Sequence, residues 1–196
     1  YSEATSKGSM YALACLGYCY ITGKGVAQDL EKGIALVQKS ARNNNIKGLN
    51  LLGLSYLKGY GVEQNYGQAV NLFLKAAEQG YARAQFNLGL CYANGTGVRQ
   101  NYKEAVYWYR KSANQGYAKA QNNLGNCYKY GNGCEKSLEL AVDLFLKSSE
   151  QGNIKAFCNL AICYEEGAGV EKNFETAIAY YRKAANQEYA EAQYRL

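Results

Sequence analysis

One spacing, 36 residues, runs through the whole chain and restricts it to one kind of architecture. Gly-x-Gly occurs at Gly23/Gly25, Gly59/Gly61, Gly95/Gly97, Gly131/Gly133 and Gly167/Gly169. The same offset carries Leu16 to Leu52, Leu88, Leu124, Leu160 and Leu196, and Tyr20 to Tyr56, Tyr92, Tyr128 and Tyr164. Lys39, Lys75, Lys111, Lys147 and Lys183 follow it too, and no insertion or deletion breaks the register. Self-similarity at a fixed period of about 20–50 residues marks stacked supersecondary units, none of which can bury its apolar face alone.

Each unit reads as two helices. In the third, Ala84, Leu88, Cys91 and Tyr92 recur at i, i+4, i+7 and i+8, one face of a helix. Gly95 then ends that helix, because glycine readily takes the left-handed conformation of a helix C-terminus. Asn101 is placed to cap the second helix, with Glu104 three residues on as a capping box. Asn65 and Gln68 repeat that pair, while Asp29, Ser137 and Asn173 keep only the cap. Ala105, Tyr109, Ser112 and Ala113 form the buried stripe of the second helix, with Val106 at its edge and Gly116 closing it. Small residues, Gly17, Gly53, Gly89, Gly125 and Ala161, stand where helices must approach closely, which offsets the roughly 1 kcal/mol cost of mid-helix glycine.

The expected organisation is a single array: repeats over 12–47, 48–83, 84–119, 120–155 and 156–191, flanked by the tail of a preceding repeat (1–11) and the start of a further one (192–196). Tyr1 falls in phase with Phe73 and Tyr109, and Gly8 with Gly80 and Gly116. "AEAQYRL" at the other end matches "ARAQFNL". These ends predict a segment of a longer protein.

Composition narrows the function. Histidine is absent, which excludes His-based acid/base catalysis, Ser-His and Cys-His pairs and His-containing zinc sites within these residues. No acid/base pair breaks the repeat symmetry, so an enzyme is a poor reading, and no cofactor is expected. No run of about 18 apolar residues is present, so membrane insertion is not expected. The formal charge of +6 suits acidic partners but falls short of a nucleic-acid tail.

Three conspicuous features have structural readings. The glycine loop resembles a phosphate cradle only superficially, because phosphate loops follow a strand and add a Lys-Ser/Thr signature that is missing here. Of the seven cysteines, Cys19, Cys91, Cys127 and Cys163 share the position before the recurrent tyrosine, where Ser55 stands in the second unit. A small buried side chain fits that pattern, and the odd count leans towards a reducing compartment. The tyrosines at 20, 56, 92, 128 and 164 are phased with the core, and Val37, Phe73, Tyr109, Phe145 and Tyr181 alternate aromatic and aliphatic types at one buried position. Nucleic-acid stacking is therefore not the expected use for them.

Leu52-Gly53, Tyr56, Gly59-Tyr60-Gly61-Val62, Asn65, Ala69, Lys75-Ala76-Ala77 and Gly80, repeated at 36 residues, resemble the Sel-one-like repeat (SLR) family, relatives of tetratricopeptide repeats. Departures are Gly33 for the helix alanine, Cys134 for the valine, Ala161 for the glycine and Glu188 for the closing glycine. The resemblance implies an all-α fold, an α/α solenoid wound as a right-handed superhelix. It also implies a scaffold or adaptor role, without naming a biochemical function.

In superhelices of that kind the first helices line the concave groove. At about 100° per residue, Arg83, Asn87, Leu90 and Asn94 share a strip beside the buried stripe of the third unit. Across units its first position reads Tyr11, Lys47, Arg83, Lys119, Lys155 and Glu191, and its second Cys15, Leu51, Asn87, Asn123 and Asn159. The second row resembles the asparagine ladder of some tetratricopeptide peptide binders: an amide offers donor and acceptor to an extended backbone. A basic row beside it favours an acidic or phosphorylated segment. The expected function is a non-catalytic interaction module binding a peptide or partner domain through Lys47, Arg83, Asn87, Leu90, Lys119, Asn123, Asn126, Lys155 and Asn159. Two alternatives stay open: a regulatory segment of a larger enzyme or signalling protein, and a nucleic-acid-binding solenoid.

Overall fold

The computed structural model describes residues 2–186, with side chains from residue 9 onward. Among these residues there are ten helices and no strands. They are α1 (Ser2–Thr22), α2 (Leu30–Arg42), α3 (Ile46–Lys58), α4 (Tyr66–Glu78), α5 (Ala82–Asn94), α6 (Tyr102–Asn114), α7 (Ala118–Tyr130), α8 (Leu138–Ser149), α9 (Ile154–Glu166) and α10 (Phe174–Ala185). They fall into two compact units, 1–101 and 102–196. Odd-numbered helices are the first and even-numbered the second of each pair. The helix α1 runs unbroken through Gly8.

Capping follows the sequence in one direction only. The side chains of Asp29, Asn65, Ser137 and Asn173 accept the N–H groups of Lys32, Gln68, Leu140 and Thr176. Each fills an orphan donor of the following helix. The return arm expected of a capping box is not made by Gln68. The backbone N–H of Asn65 donates instead to the carbonyl of Tyr56, at 2.9 Å, and that of Asn101 to Tyr92, also at 2.9 Å. The loop folds back over the end of the first helix, so an orphan helix carbonyl is nearer than a long side chain. Asp29, Ser137 and Asn173 donate likewise to Tyr20, Tyr128 and Tyr164.

The glycine pair is the joint that makes this return possible. Gly95 closes α5 at φ 69° and donates to the Cys91 carbonyl, which also accepts from Thr96. Gly97, at φ 72°, lies against the backbone of Tyr66, the first residue of the preceding second helix, and a Cβ there would collide with its carbonyl. Backbone cannot give way as a side-chain tip can, so the second glycine sets how closely successive pairs stack. A staple absent from the sequence reading holds the loop as well: Gln28, Gln64 and Gln100 donate their amides to the carbonyls of Ile21, Leu57 and Ala93, each at 2.8 Å.

The core is built from the expected stripe. Val37, Ala84, Leu88, Ala105, Phe73 and Phe145 are fully buried, and Tyr109 and Tyr181 nearly so. In the second unit Ala141, Val142, Phe145, Leu160 and Cys163 form one cluster, with Tyr128, Leu146, Val170 and Tyr180 packed against it. The mid-helix glycines permit this: a Cβ on Gly53 would lie 2.6 Å from Phe73 Cε1, and one on Gly125 2.6 Å from Phe145 Cε1. Ala161 takes the equivalent place in a cluster with Cys158, Tyr181 and Ala184.

The recurrent tyrosines differ from expectation in depth. Tyr56, Tyr92, Tyr128 and Tyr164 are half-buried at the rim of the core. A phenol needs a partner for its hydroxyl, and the rim supplies one: Tyr128 accepts from Arg110 at 3.0 Å. Trp108 is buried.

Candidate functional site

In the first unit the strip is built on α1, α3 and α5. Asn45 starts α3 by accepting the N–H groups of Lys47 and Gly48, which places Lys47 in the first turn. From there its Nζ lies 2.8 Å from Cys15 Sγ and 4.2 Å from the centroid of Tyr11. Burial works against the Lys47 ammonium. The hydrogen bonds to Cys15 and Tyr11 outweigh it and hold the pKa above the usual lysine value. Arg83, in the first turn of α5, is exposed, and Leu90 is half-buried. Tyr81 lies near both cations; burial raises its pKa, and the charges of Arg83 and Lys47 work against the rise.

Asn87 has a partner that the sequence strip did not include. Its Nδ2 donates to Oδ1 of Asn50, at 2.9 Å. Asn50 is only 3% exposed, so it depends on this bond, since a buried amide oxygen left unpaired costs about 1–3 kcal/mol. Asn87 itself is half-buried. One end of its amide is held, and the carbonyl oxygen and second N–H are available.

The second unit repeats the arrangement on α7 and α9 and extends it. Asn159 Nδ2 donates to Asn122 Oδ1 at 2.8 Å, and Asn122 is 2% exposed. The Asn122 amide continues to Asn123 Oδ1 at 3.3 Å, and Asn123 Nδ2 lies 3.5 Å from the Tyr109 hydroxyl. Asn123 is thus engaged at both ends of its amide, whereas Asn159 is engaged at one. Lys119 and Lys155 are exposed, and Asn126 is half-buried.

The structure therefore brings together Lys47 with Tyr11 and Cys15, Asn87 with Asn50, and Asn159 with Asn122 and Asn123. Asn50 and Asn122 are the residues that sequence reasoning missed. A signal was present: they share one repeat position, filled by Ala14, Phe86 and Cys158 in the other units, so an amide stands there at a buried phase.

Among the described residues no group of three or more Cys, Asp or Glu is placed to hold a metal ion. No helix among them is long and apolar enough to cross a membrane. Cys91, Cys127, Cys158 and Cys163 are buried, while Cys15, Cys19 and Cys134 are half-buried. Burial pushes the Cys91 and Cys127 thiols up to about 11.

Comparison with known proteins agrees with this architecture. The Sel1 repeat model matches residues 8–45, 46–81, 82–117, 118–153 and 155–189. Among solved structures, the chain is similar to a protective antigen of uropathogenic Escherichia coli strains that displays an SLR fold. The two are 32% identical with a TM-score of 0.84 over 98% of this chain, which spans 41% of the antigen's length. A Sel1 repeat protein from Oxalobacter formigenes is 34% identical with a TM-score of 0.83, covering 95% of this chain and 77% of its own. The immunity protein Pa5087 from Pseudomonas aeruginosa, 22% identical with a TM-score of 0.65, shares the fold over 94% of this chain and 68% of its own. No curated protein matches the sequence. Sel1-repeat proteins are in general protein-interaction scaffolds and are typically non-catalytic. With five repeat matches between residues 8 and 189 and the same all-α solenoid fold class in both more similar structures, the chain belongs to the Sel1-repeat family.

Proposed function

We propose that this chain binds an extended, acidic protein segment through the first-helix strip of each unit. The observation that carries the reading is the half-held amide. Asn87 and Asn159 are each oriented by a bond to a buried asparagine and each keep a donor and an acceptor for a ligand. An amide fixed in this way loses little side-chain entropy when it pairs with a peptide backbone. Beside it stands a cation in the first turn of the same helix: Arg83 on α5 and Lys155 on α9, both exposed. Leu90, Lys119 and Asn126 widen the contact, Lys47 adds charge at the start of the strip, and Asn123 buttresses Asn122. Single contacts of this kind are weak, and affinity comes from several acting together.

The exposed cations give a cleaner test than the asparagines, because removing Asn87 also orphans buried Asn50. Reversing Arg83→Glu, Lys119→Glu and Lys155→Glu is expected to leave the melting temperature within the small range usual for surface changes. The same reversal should weaken binding of acidic peptides from an arrayed library at least about tenfold. Unchanged affinity in the triple variant would remove the charge component of the proposal. A steep salt dependence with generic RNA, and none with peptides, would favour a nucleic-acid role instead.

A further inference from the structure

Two side chains that both accept acyl groups meet in the first unit. The row that reads Leu51, Asn87, Asn123 and Asn159 in the later repeats begins with Cys15, on α1. Lys47, in the first turn of α3, reaches back across the helix pair and sets its Nζ 2.8 Å from Cys15 Sγ. The Tyr11 ring, 4.2 Å from Nζ, flanks the same ammonium. Cys15 and Lys47 are both half-buried, so a small reagent can reach them while much of the surrounding water is excluded. A thiol is the faster acyl acceptor of the two, whereas an amide on the amine is the more stable product.

From this contact we infer that Cys15 and Lys47 form an acyl-relay site, in which Cys15 takes an acyl group from a small thioester and Lys47 receives it as an amide.

The relay has two balanced steps. The Cys15 thiolate attacks the carbonyl carbon of the thioester; a carbon–sulfur bond to Cys15 forms, the carbon–sulfur bond to the carrier breaks, and the carrier leaves as a thiol with the proton that Cys15 gave up. The acyl carbon is then one bond from Sγ, within the roughly 3–3.5 Å contact range of Nζ that makes attack effectively intramolecular. Neutral Lys47 adds to that carbon, the bond to Cys15 breaks, and the amine's proton passes to the departing thiolate. Cys15 is regenerated, the ammonium has lost one further proton to water, and nothing is oxidised or reduced. The environment of Lys47 favours this order. Burial works against its ammonium, while the hydrogen bonds and charges of Cys15 and Tyr11 favour it. Acylation of Cys15 removes one of those supports and leaves burial acting towards the neutral amine, the form that attacks. In the later units the residues that precede Arg83, Lys119 and Lys155 by 32 positions are Leu51, Asn87 and Asn123, which are not acyl carriers. Lys47 belongs to the proposed binding strip, but the relay stands without that role, since its chemistry needs no bound peptide.

The test is incubation of the whole chain with S-acetyl-N-acetylcysteamine at mildly alkaline pH, followed by peptide mass mapping with and without hydroxylamine, which cleaves thioesters and spares amides. Lys47 is expected to gain a hydroxylamine-resistant acetyl group at least about tenfold faster than the exposed Lys39 and Lys75. Cys15→Ser should bring Lys47 down to the rate of those two lysines. Lys47→Arg should leave acetyl on Cys15, released by hydroxylamine. Cys19→Ser, one turn along α1, should change neither result. Three outcomes would overturn the inference: Lys47 acetylated no faster than Lys39 and Lys75, a Lys47 rate unaffected by Cys15→Ser, or acetyl that stays on Cys15 in the unsubstituted chain.

Discussion

The two compact units solve the same problem with different surroundings. Each contains a buried asparagine, Asn50 or Asn122, satisfied by an amide 37 residues further on, Asn87 or Asn159. In the first unit the neighbouring second-row residue is Leu51, which is buried, and the strip is completed by Lys47 lying on Cys15 and Tyr11. In the second unit the neighbour is Asn123, and the pair becomes a chain of amides ending at the Tyr109 hydroxyl. Repeat position therefore assigns a residue to a row, but its chemical availability depends on which side chain stands beside it. Asparagines that are equivalent by period are unequal as ligands.

Three measurements can break or sharpen that comparison. The largest effect is expected where the units are most alike. Phe73 and Phe145 are both fully buried against a glycine of the neighbouring first helix. Truncating either to alanine should cost about 3–5 kcal/mol in urea denaturation. A difference between them well beyond about 1 kcal/mol would show that the units do not share a packing scheme.

The next effect is alkaline. Cys91 and Cys127 have folded pKa values of about 11 against an unshifted 9.0, so above pH 9 the unfolded chain loses the thiol protons first. Stability that is complete below pH 9 must therefore fall as pH rises towards 11. At pH 10 the loss is at most about 1.4 kcal/mol per thiol, reduced by solvent screening. Cys91→Ser and Cys127→Ser should each flatten the urea midpoint against pH. A slope unchanged in both variants would show that other groups carry it.

The smallest effect tests the amide networks. A double-mutant cycle of Asn123→Ala with Asn159→Ala should show a coupling above about 0.5 kcal/mol, because both contact Asn122. The matching cycle in the first unit, Leu51→Ala with Asn87→Ala, should be additive within about 0.5 kcal/mol. Equal coupling in both would erase the distinction drawn between the units.

Legibility followed range. The closing glycines, the side-chain caps of Asp29, Asn65, Ser137 and Asn173, and the buried stripe at Val37, Phe73, Tyr109, Phe145 and Tyr181 were readable because each depends on a few adjacent residues or on the period. The capping box at Asn65 misled because local pattern ignored a competitor: the Tyr56 carbonyl, nine residues back, reaches the same N–H. The tyrosine row was placed too deep because periodicity gives an angle around a helix, while depth depends on the neighbour across it. Of the candidate strip, the rows were legible and their bonding was not.

By itself the sequence determined the number of units, their two-helix form, the loop joints and the face each residue occupies. Those properties follow from backbone preference and from a period repeated without error. Only tertiary structure decided that Asn50 and Asn122 are buried and satisfied from the next first helix, and that Lys47 is committed to Cys15 and Tyr11. Each of those depends on the spacing of packed elements and on desolvation, which arise only when side chains distant in sequence share one small volume.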